Sequence, residues 1–185
     1  MNITVIFGSH RFGGVNQEIE AMLRSLRSNH NFEYIHMADH EVKGCISCHQ
    51  CAQKGYCVLP SSDLDHFQEI YDKLIATDAI FIITPVYAGI PSRLTALFER
   101  LTSVLFDTNQ MNTDKNPLLN KKVAIFSYCS AGICDETQLK IIFQKFVMKN
   151  YSFTEVTYPY LNDTGKYNSS DGITDYVKDV VINLL

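Results

Sequence analysis

The chain predicts a doubly wound α/β domain, a parallel sheet with helices on both faces, and three observations carry that prediction. Short apolar runs rich in β-formers recur five times, at Asn2 to Phe7, Phe32 to His36, Ala79 to Thr84, Lys122 to Tyr128 and Phe153 to Tyr158. Between and after them, apolar residues return at the three-and-four spacing of a buried helical face. One run, Ala79-Ile-Phe-Ile-Ile83, is apolar without a break, as a strand buried on both sides must be. Strand and helix in alternation specify parallel strands joined by right-handed crossovers.

In chain order, the first strand leads into a helix with apolar positions at Ile19, Met22, Leu23 and Leu26. After the second strand a cysteine-rich segment delays the next helix, whose stripe is Leu64, Phe67, Ile70, Tyr71 and Leu74. The third strand is expected at the sheet centre, followed by a helix with Leu94, Leu97, Phe98, Leu101 and Leu105 on one face. Thr108 to Asn120 is polar and reads as an exposed loop. Two further stripes follow the last two strands, Leu139, Ile142, Phe143 and Phe146, then Ile173, Tyr176, Val177, Val180 and Leu184. No repeat or linker divides the chain, so residues 1–185 are expected to form one domain.

Composition excludes several functions. Sixteen basic against twenty acidic residues give a formal charge of −4, with no basic stripe to neutralise a run of phosphates, so nucleic acid is not an expected partner. The apolar start lacks a basic stretch before it and reads as a strand, not a secretory leader. No apolar run approaches the ~20 residues that cross a bilayer. A cytoplasmic protein without a membrane partner is the expectation, and in that reducing compartment the six cysteines are expected to stay free of disulfides unless they act on metal or electrons.

In doubly wound folds ligands bind beyond the carboxyl ends of the strands, where the strand order reverses. The loop after the first strand, Gly8-Ser-His-Arg-Phe-Gly-Gly-Val-Asn-Gln17, suits a phosphate. Glycines let backbone amides approach an anion, a helix start adds unpaired N–H groups, and Ser9, Asn16 and Gln17 add donors, with Arg11 supplying charge. The spacing matches neither the G-x-G-x-x-G of dinucleotide folds nor the G-x-x-x-x-G-K-[ST] of nucleotide triphosphatases, which favours a monophosphate. His10 lies in the same loop and reads as a hydrogen-bonding residue of it. After the third strand, Thr84-Pro-Val-Tyr-Ala-Gly-Ile-Pro91 offers an aromatic face to a flat heterocycle, and after the fourth, Ser127-Tyr-Cys-Ser-Ala-Gly-Ile-Cys134 offers small residues and free amides.

These three segments resemble the flavodoxin-like NAD(P)H-dependent FMN reductases, including their iron-sulfur flavoprotein branch, and the resemblance spans essentially the whole chain. Gly8-Ser-x-Arg11 followed by Gly14-x-Asn16 is similar to the family's FMN phosphate loop, GSxRxxGNT, with Val15 an extra residue and Gln17 where threonine is common. Thr84-Pro-Val-Tyr87 is similar to the segment that contacts the isoalloxazine ring. Leu94 to Leu101 resembles the following helix, LKxFxDR, with Thr95 for the lysine, Glu99 for the aspartate and Arg100 retained. The resemblance implies a five-stranded sheet in the order 2-1-3-4-5 and FMN held by Ser9, His10, Arg11, Val15, Asn16, Gln17, Pro85, Val86, Tyr87, Ala88, Gly89, Cys129, Ser130, Ala131 and Gly132. It also implies NAD(P)H as electron donor, a small acceptor such as a quinone, a nitroaromatic or free flavin, and a homodimer or homotetramer. No acid-base residue is required, because the cofactor carries the electron chemistry while the protein orients it.

Cys45, Cys48, Cys51 and Cys57 form the spacing C-x2-C-x2-C-x5-C. Thiolates so spaced can converge on a 4Fe-4S cluster. Zinc, with His49 or His40 replacing a sulfur, is a second reading, although structural zinc sites more often separate two C-x2-C pairs by a longer span. A loop of reduced cysteines packed at a subunit interface is the third. The leading reading is an FMN-dependent NAD(P)H oxidoreductase; the alternatives are an electron carrier with FMN and a 4Fe-4S cluster, and a non-enzymatic zinc or phosphate-ligand module.

Overall fold

A computed structural model describes residues 1–26, 29–59, 64–86, 89–103, 117–118, 121–128, 160–161, 175, 177–179 and 181–182. Its elements run β1 (Asn2–Phe7), α1 (Val15–Ser25), β2 (Asn31–His36), α2 (Cys51–Lys54), α3 (Phe67–Ala76), β3 (Ala79–Pro85), α4 (Ser92–Leu101), β4 (Lys122–Tyr128) and β5 (Tyr160–Leu161). The sheet is parallel in the order β2-β1-β3-β4-β5. Positions 2-1-3-4 follow the expectation, and β3 is central, paired with β1 and β4 and buried along its whole length. The fifth place is held by the two residues Tyr160–Leu161 against Ser127 and Tyr128, while the expected strand from Phe153 to Tyr158 lies outside the described residues.

Alternation along the strands divides the core between two faces. Ile6, Ile80, Ile82, Val123 and Ile125 pack with Phe67, Ile70 and Leu74 of α3 and Leu94, Leu97 and Leu101 of α4. Ile3, Val5, Phe7, Phe81, Ile83 and Phe126 pack with Ile19 and Leu23 of α1 and with the helical residues Val177 and Val181. Adjacent strand residues point to opposite faces, so a continuous apolar strand fills both layers at once. The edge strand β2 alternates between exposed and covered positions instead.

Two sequence expectations need correction. Leu64 does not join the α3 stripe: the helix starts at Phe67, after His66, and Leu64 is 70% exposed. The segment around 108–120, expected as an exposed loop, contains Leu118, which is fully buried in the core beneath α3 and α4. Leu105, Ile173, Tyr176, Val180, Leu184 and the stripe from Leu139 to Phe146 lie outside the described residues.

Candidate functional site

β1, β3 and β4 end side by side, so the loops that follow them share one edge of the sheet. Gly8 opens the first loop where backbone and side chains meet closely. A Cβ there would lie 2.6 Å from Thr84 Oγ1 and 2.8 Å from Leu94 Cδ2, so only glycine lets β1 turn beneath β3 and α4. Its N–H donates to the Ile83 carbonyl at 2.8 Å. Farther on, Gly13 and Gly14 have φ of +95° and +58°, and Gly14 leads into α1 with no side chain capping the first N–H groups.

Around that uncapped helix start the polar side chains are ordered. Ser9 is buried, and its Oγ accepts the Arg11 N–H at 3.2 Å. Asn16 is buried, and its Oδ1 accepts the Tyr128 hydroxyl at 3.0 Å, which ties the first turn of α1 to the end of β4. Arg11 and Gln17 are exposed beside them, and Val15 is half-buried. The set fits a phosphate: an eleven-residue helix presents free N–H groups and its positive dipole end, and glycine backbone leaves room for close approach.

His10 differs from expectation. Its Nε2 accepts the Arg93 N–H at 3.3 Å and lies 3.5 Å from Ser92 Oγ, so it caps the start of α4 instead of bonding within its own loop. Arg93, which the sequence did not single out, binds the carbonyls of Met37 and Ala38 at 2.7 Å each and Glu41 at 2.6 Å. It fixes the chain leaving β2 to the same helix. Pro85 and Val86 are buried at the end of β3, where the Val86 N–H donates to the Tyr128 carbonyl at 2.7 Å, and Gly89 is half-buried. Tyr87, Ala88, Cys129, Ser130, Ala131 and Gly132 lie outside the described residues.

The cysteine segment lies over the far end of α4. Cys45 and Cys48 are exposed, Cys51 and Cys57 half-buried, and none is in a disulfide. All four line one hollow together with Glu99, Arg100, Thr102 and Ser103. Between the thiols, Ser47 and His49 have φ of +52° and +56°, a conformation L side chains rarely take, and these are the only such non-glycine residues among those described. Strain of that kind collects at functional loops. Two N–H groups point at sulfur: Ser47 N–H at Cys45 Sγ and Arg100 Nε at Cys57 Sγ, both at 3.4 Å. The thiols do not converge on one point: no three Cys, His, Asp or Glu among the described residues stand close enough to hold one metal ion. Four sulfur donors around one hollow, with N–H groups directed at two of them, nonetheless fit the chemistry of an iron-sulfur cluster.

Beneath this hollow, Arg100 and Asp65 form an ion pair whose side chains are 1% and 0% exposed, with Nη1 donating to the two carboxylate oxygens at 2.7 and 2.6 Å. Sequence reasoning noted Arg100 only as a family-like residue and missed Asp65. The available signal was position: Arg100 stands three residues after Leu97 on the buried stripe of α4, where a charge demands a buried partner.

A parallel sheet in this order, with helices on both faces and a glycine-rich turn where β1 meets α1, defines a flavodoxin-like α/β fold. The family model of NADPH-dependent FMN reductases matches residues 1–157, and the chain belongs to that family of flavoprotein oxidoreductases, which work with FMN and NAD(P)H. Among curated proteins it is 35% identical over 103 residues to an iron-sulfur flavoprotein of Methanosarcina thermophila, 54% of this chain and 52% of that one. It is 40% identical over 60 residues to an iron-sulfur flavoprotein of Archaeoglobus fulgidus, 32% of this chain and 27% of the relative. The first match thus spans about half the length of that relative. Among solved structures, the NAD(P)H:quinone oxidoreductase from Methanothermobacter marburgensis superimposes with a TM-score of 0.71 at 16% identity, over 100% of this chain and 96% of that one. An FMN-dependent NADH-azoreductase from Bacillus anthracis in complex with FMN does so at 0.61 and 13%, over 100% and 99%. At such identities the likeness speaks to the fold. No helix among the described residues is long and apolar enough to cross a membrane.

Proposed function

We propose that this chain is an iron-sulfur flavoprotein, an FMN-dependent oxidoreductase in which Cys45, Cys48, Cys51 and Cys57 hold a 4Fe-4S cluster. The observation that carries it is that all four thiols line one hollow, with N–H donors aimed at the first and last sulfur. The curated relatives support the same assignment, each described as an iron-sulfur flavoprotein. When bound, FMN supplies exchange between electron pairs and single electrons, and the cluster supplies single-electron transfer.

The chain's own residues bind and orient. Backbone N–H groups at Gly13 to Gln17 receive the FMN phosphate, with Ser9 and Asn16 adding hydrogen bonds and Arg11 covering the anion. His10 contributes indirectly by fixing α4 against this loop. Pro85, Val86 and Gly89 are the described residues assigned to the isoalloxazine ring, and the family resemblance adds Tyr87, Ala88, Cys129, Ser130, Ala131 and Gly132 to that assignment. NAD(P)H is the donor, a one-electron carrier protein the acceptor, and a homodimer or homotetramer the assembly, which light scattering on the purified protein checks.

A second reading is favoured by one observation: no three of the thiols stand close enough together to hold a metal. In that case the chain is a cluster-free FMN reductase serving a quinone, a nitroaromatic or free flavin. Anaerobic titration of the FMN-loaded protein with NADPH or NADH, followed by each acceptor, separates the two. Bleaching of the flavin and reoxidation by a ferredoxin-type carrier supports the first reading; turnover with small acceptors alone supports the second. Protein that retains no added FMN contradicts both.

A further inference from the structure

Two neighbouring residues of α4 hold opposite ends of the cysteine segment. Glu99 Oε2 accepts the Cys45 N–H at 3.4 Å, and Arg100 Nε donates to Cys57 Sγ at 3.4 Å. Glu99 is exposed, whereas Arg100 is buried to 1%. A guanidinium at that depth calls for a reason, because a buried ion pair gains little over a well-packed apolar pair. Asp65 takes Nη1 through two hydrogen bonds, the Leu59 carbonyl lies 3.5 Å from Nη2, and Phe67 covers the guanidinium face at 4.1 Å from its ring centre. The Nε–H is aimed at sulfur. A neutral thiol is a weak acceptor for a buried cationic donor, whereas a metal-bound thiolate is a strong one. The arrangement is therefore satisfied when Cys57 carries negative charge as a ligand.

We propose that Arg100, positioned by Asp65, raises the reduction potential of the cluster bound through Cys57, while Glu99 beside Cys45 lowers it. This rests on the cysteines being cluster ligands. One added electron makes the cluster and its sulfur ligands more negative, so an N–H group directed at Cys57 stabilises the reduced form more than the oxidised one. The Asp65–Arg100 pair is formally neutral, so the effect comes from the directed N–H and not from a free charge. A carboxylate near Cys45 acts in the opposite sense, and more weakly because water and salt screen an exposed group. Arg100 is thus a positioning residue: it acts on the electron-transfer reaction through a ligand sulfur.

The test is an anaerobic redox titration of the cluster absorbance, with iron and sulfide measured on the same samples. The double variant Asp65→Asn/Arg100→Gln exchanges the ion pair for a neutral hydrogen-bonding pair and leaves no lone buried charge. Arg100→Lys keeps the charge and removes Nε. Both are expected to lower the midpoint potential, the double variant by at least ~59 mV, a tenfold change in a one-electron equilibrium constant. Glu99→Gln is expected to raise it by less. A merely structural Arg100 would move the melting temperature and leave the potential in place. If the double variant does not fold, Arg100→Lys and Glu99→Gln carry the test through their opposite signs. Full iron content with unshifted potentials overturns the proposal, whereas a wild-type protein without iron and sulfide overturns the cluster assignment on which it rests.

Discussion

The edge where β1, β3 and β4 end and the hollow beneath the cysteines are joined by one helix but built from different material. The first is built mainly of backbone: glycine conformation, an uncapped helix start and strand-end hydrogen bonds shape the proposed phosphate cradle, with the buried side chains Ser9 and Asn16 among them. At the second, the backbone is irregular and strained, and side chains carry the chemistry: four thiols above, one buried ion pair below. α4 connects them, bonded to His10 at its start and to the cysteine segment through Glu99 and Arg100 near its end. A backbone site should be broken mainly by adding atoms, and a side-chain site by removing them.

The largest expected effect is on the thiols. Cys48→Ser/Cys51→Ser should abolish iron binding, from about four irons per chain to none, while FMN stays bound; iron assay and flavin absorbance on one sample check both halves. Loss of flavin together with iron would mean the two sites are one. Next is Asp65→Ala, which leaves Arg100 buried without its counter-charge and uncovers the Phe67 N–H that Asp65 accepts at 3.2 Å. A broken buried pair costs about 3–5 kcal/mol, so denaturant melts should show a severe loss of stability.

Gly8→Ala tests the other region by addition. With contacts of 2.6 and 2.8 Å awaiting a Cβ, overpacking should cost about 1–3 kcal/mol and weaken FMN binding, read by flavin fluorescence on titration. If the variant binds FMN like the wild type, the cradle is not a backbone device. The smallest effect is expected at His10, since His10→Ala removes a helix cap from outside the helix. A capping loss of about 1 kcal/mol in urea melts, with FMN affinity reduced less than for Gly8→Ala, would place His10 as support for the loop. An FMN loss larger than the stability loss would make it a direct ligand.

These regions were also unequally legible in the sequence. The central strand was readable because a residue run such as Ala79 to Ile83 has few alternatives once both faces must be apolar. The glycine-rich turn after β1, whose use for a phosphate is part of the proposed function, was readable because glycine spacing is itself the geometry, with positive φ at Gly13 and Gly14. Asp65 was not, since it stands in Ser61-Ser-Asp-Leu-Asp65 beside another aspartate, and nothing local marks which one is buried. Its partner lies 35 residues away, so only tertiary packing selects it. Arg93 escaped notice for the same reason, as its partners sit on the chain leaving β2. Leu64 misled because it continues the helical spacing of α3 one turn before the helix begins.

Whether the cysteine hollow is a cluster site on a flavoprotein is decided by an anaerobic absorbance spectrum of freshly purified protein, with iron, sulfide and zinc assayed together. Flavin bands on a broad iron-sulfur absorption are expected, with about four irons and four sulfides per chain. Flavin bands with neither iron nor sulfide, or one zinc in their place, would contradict the cluster assignment.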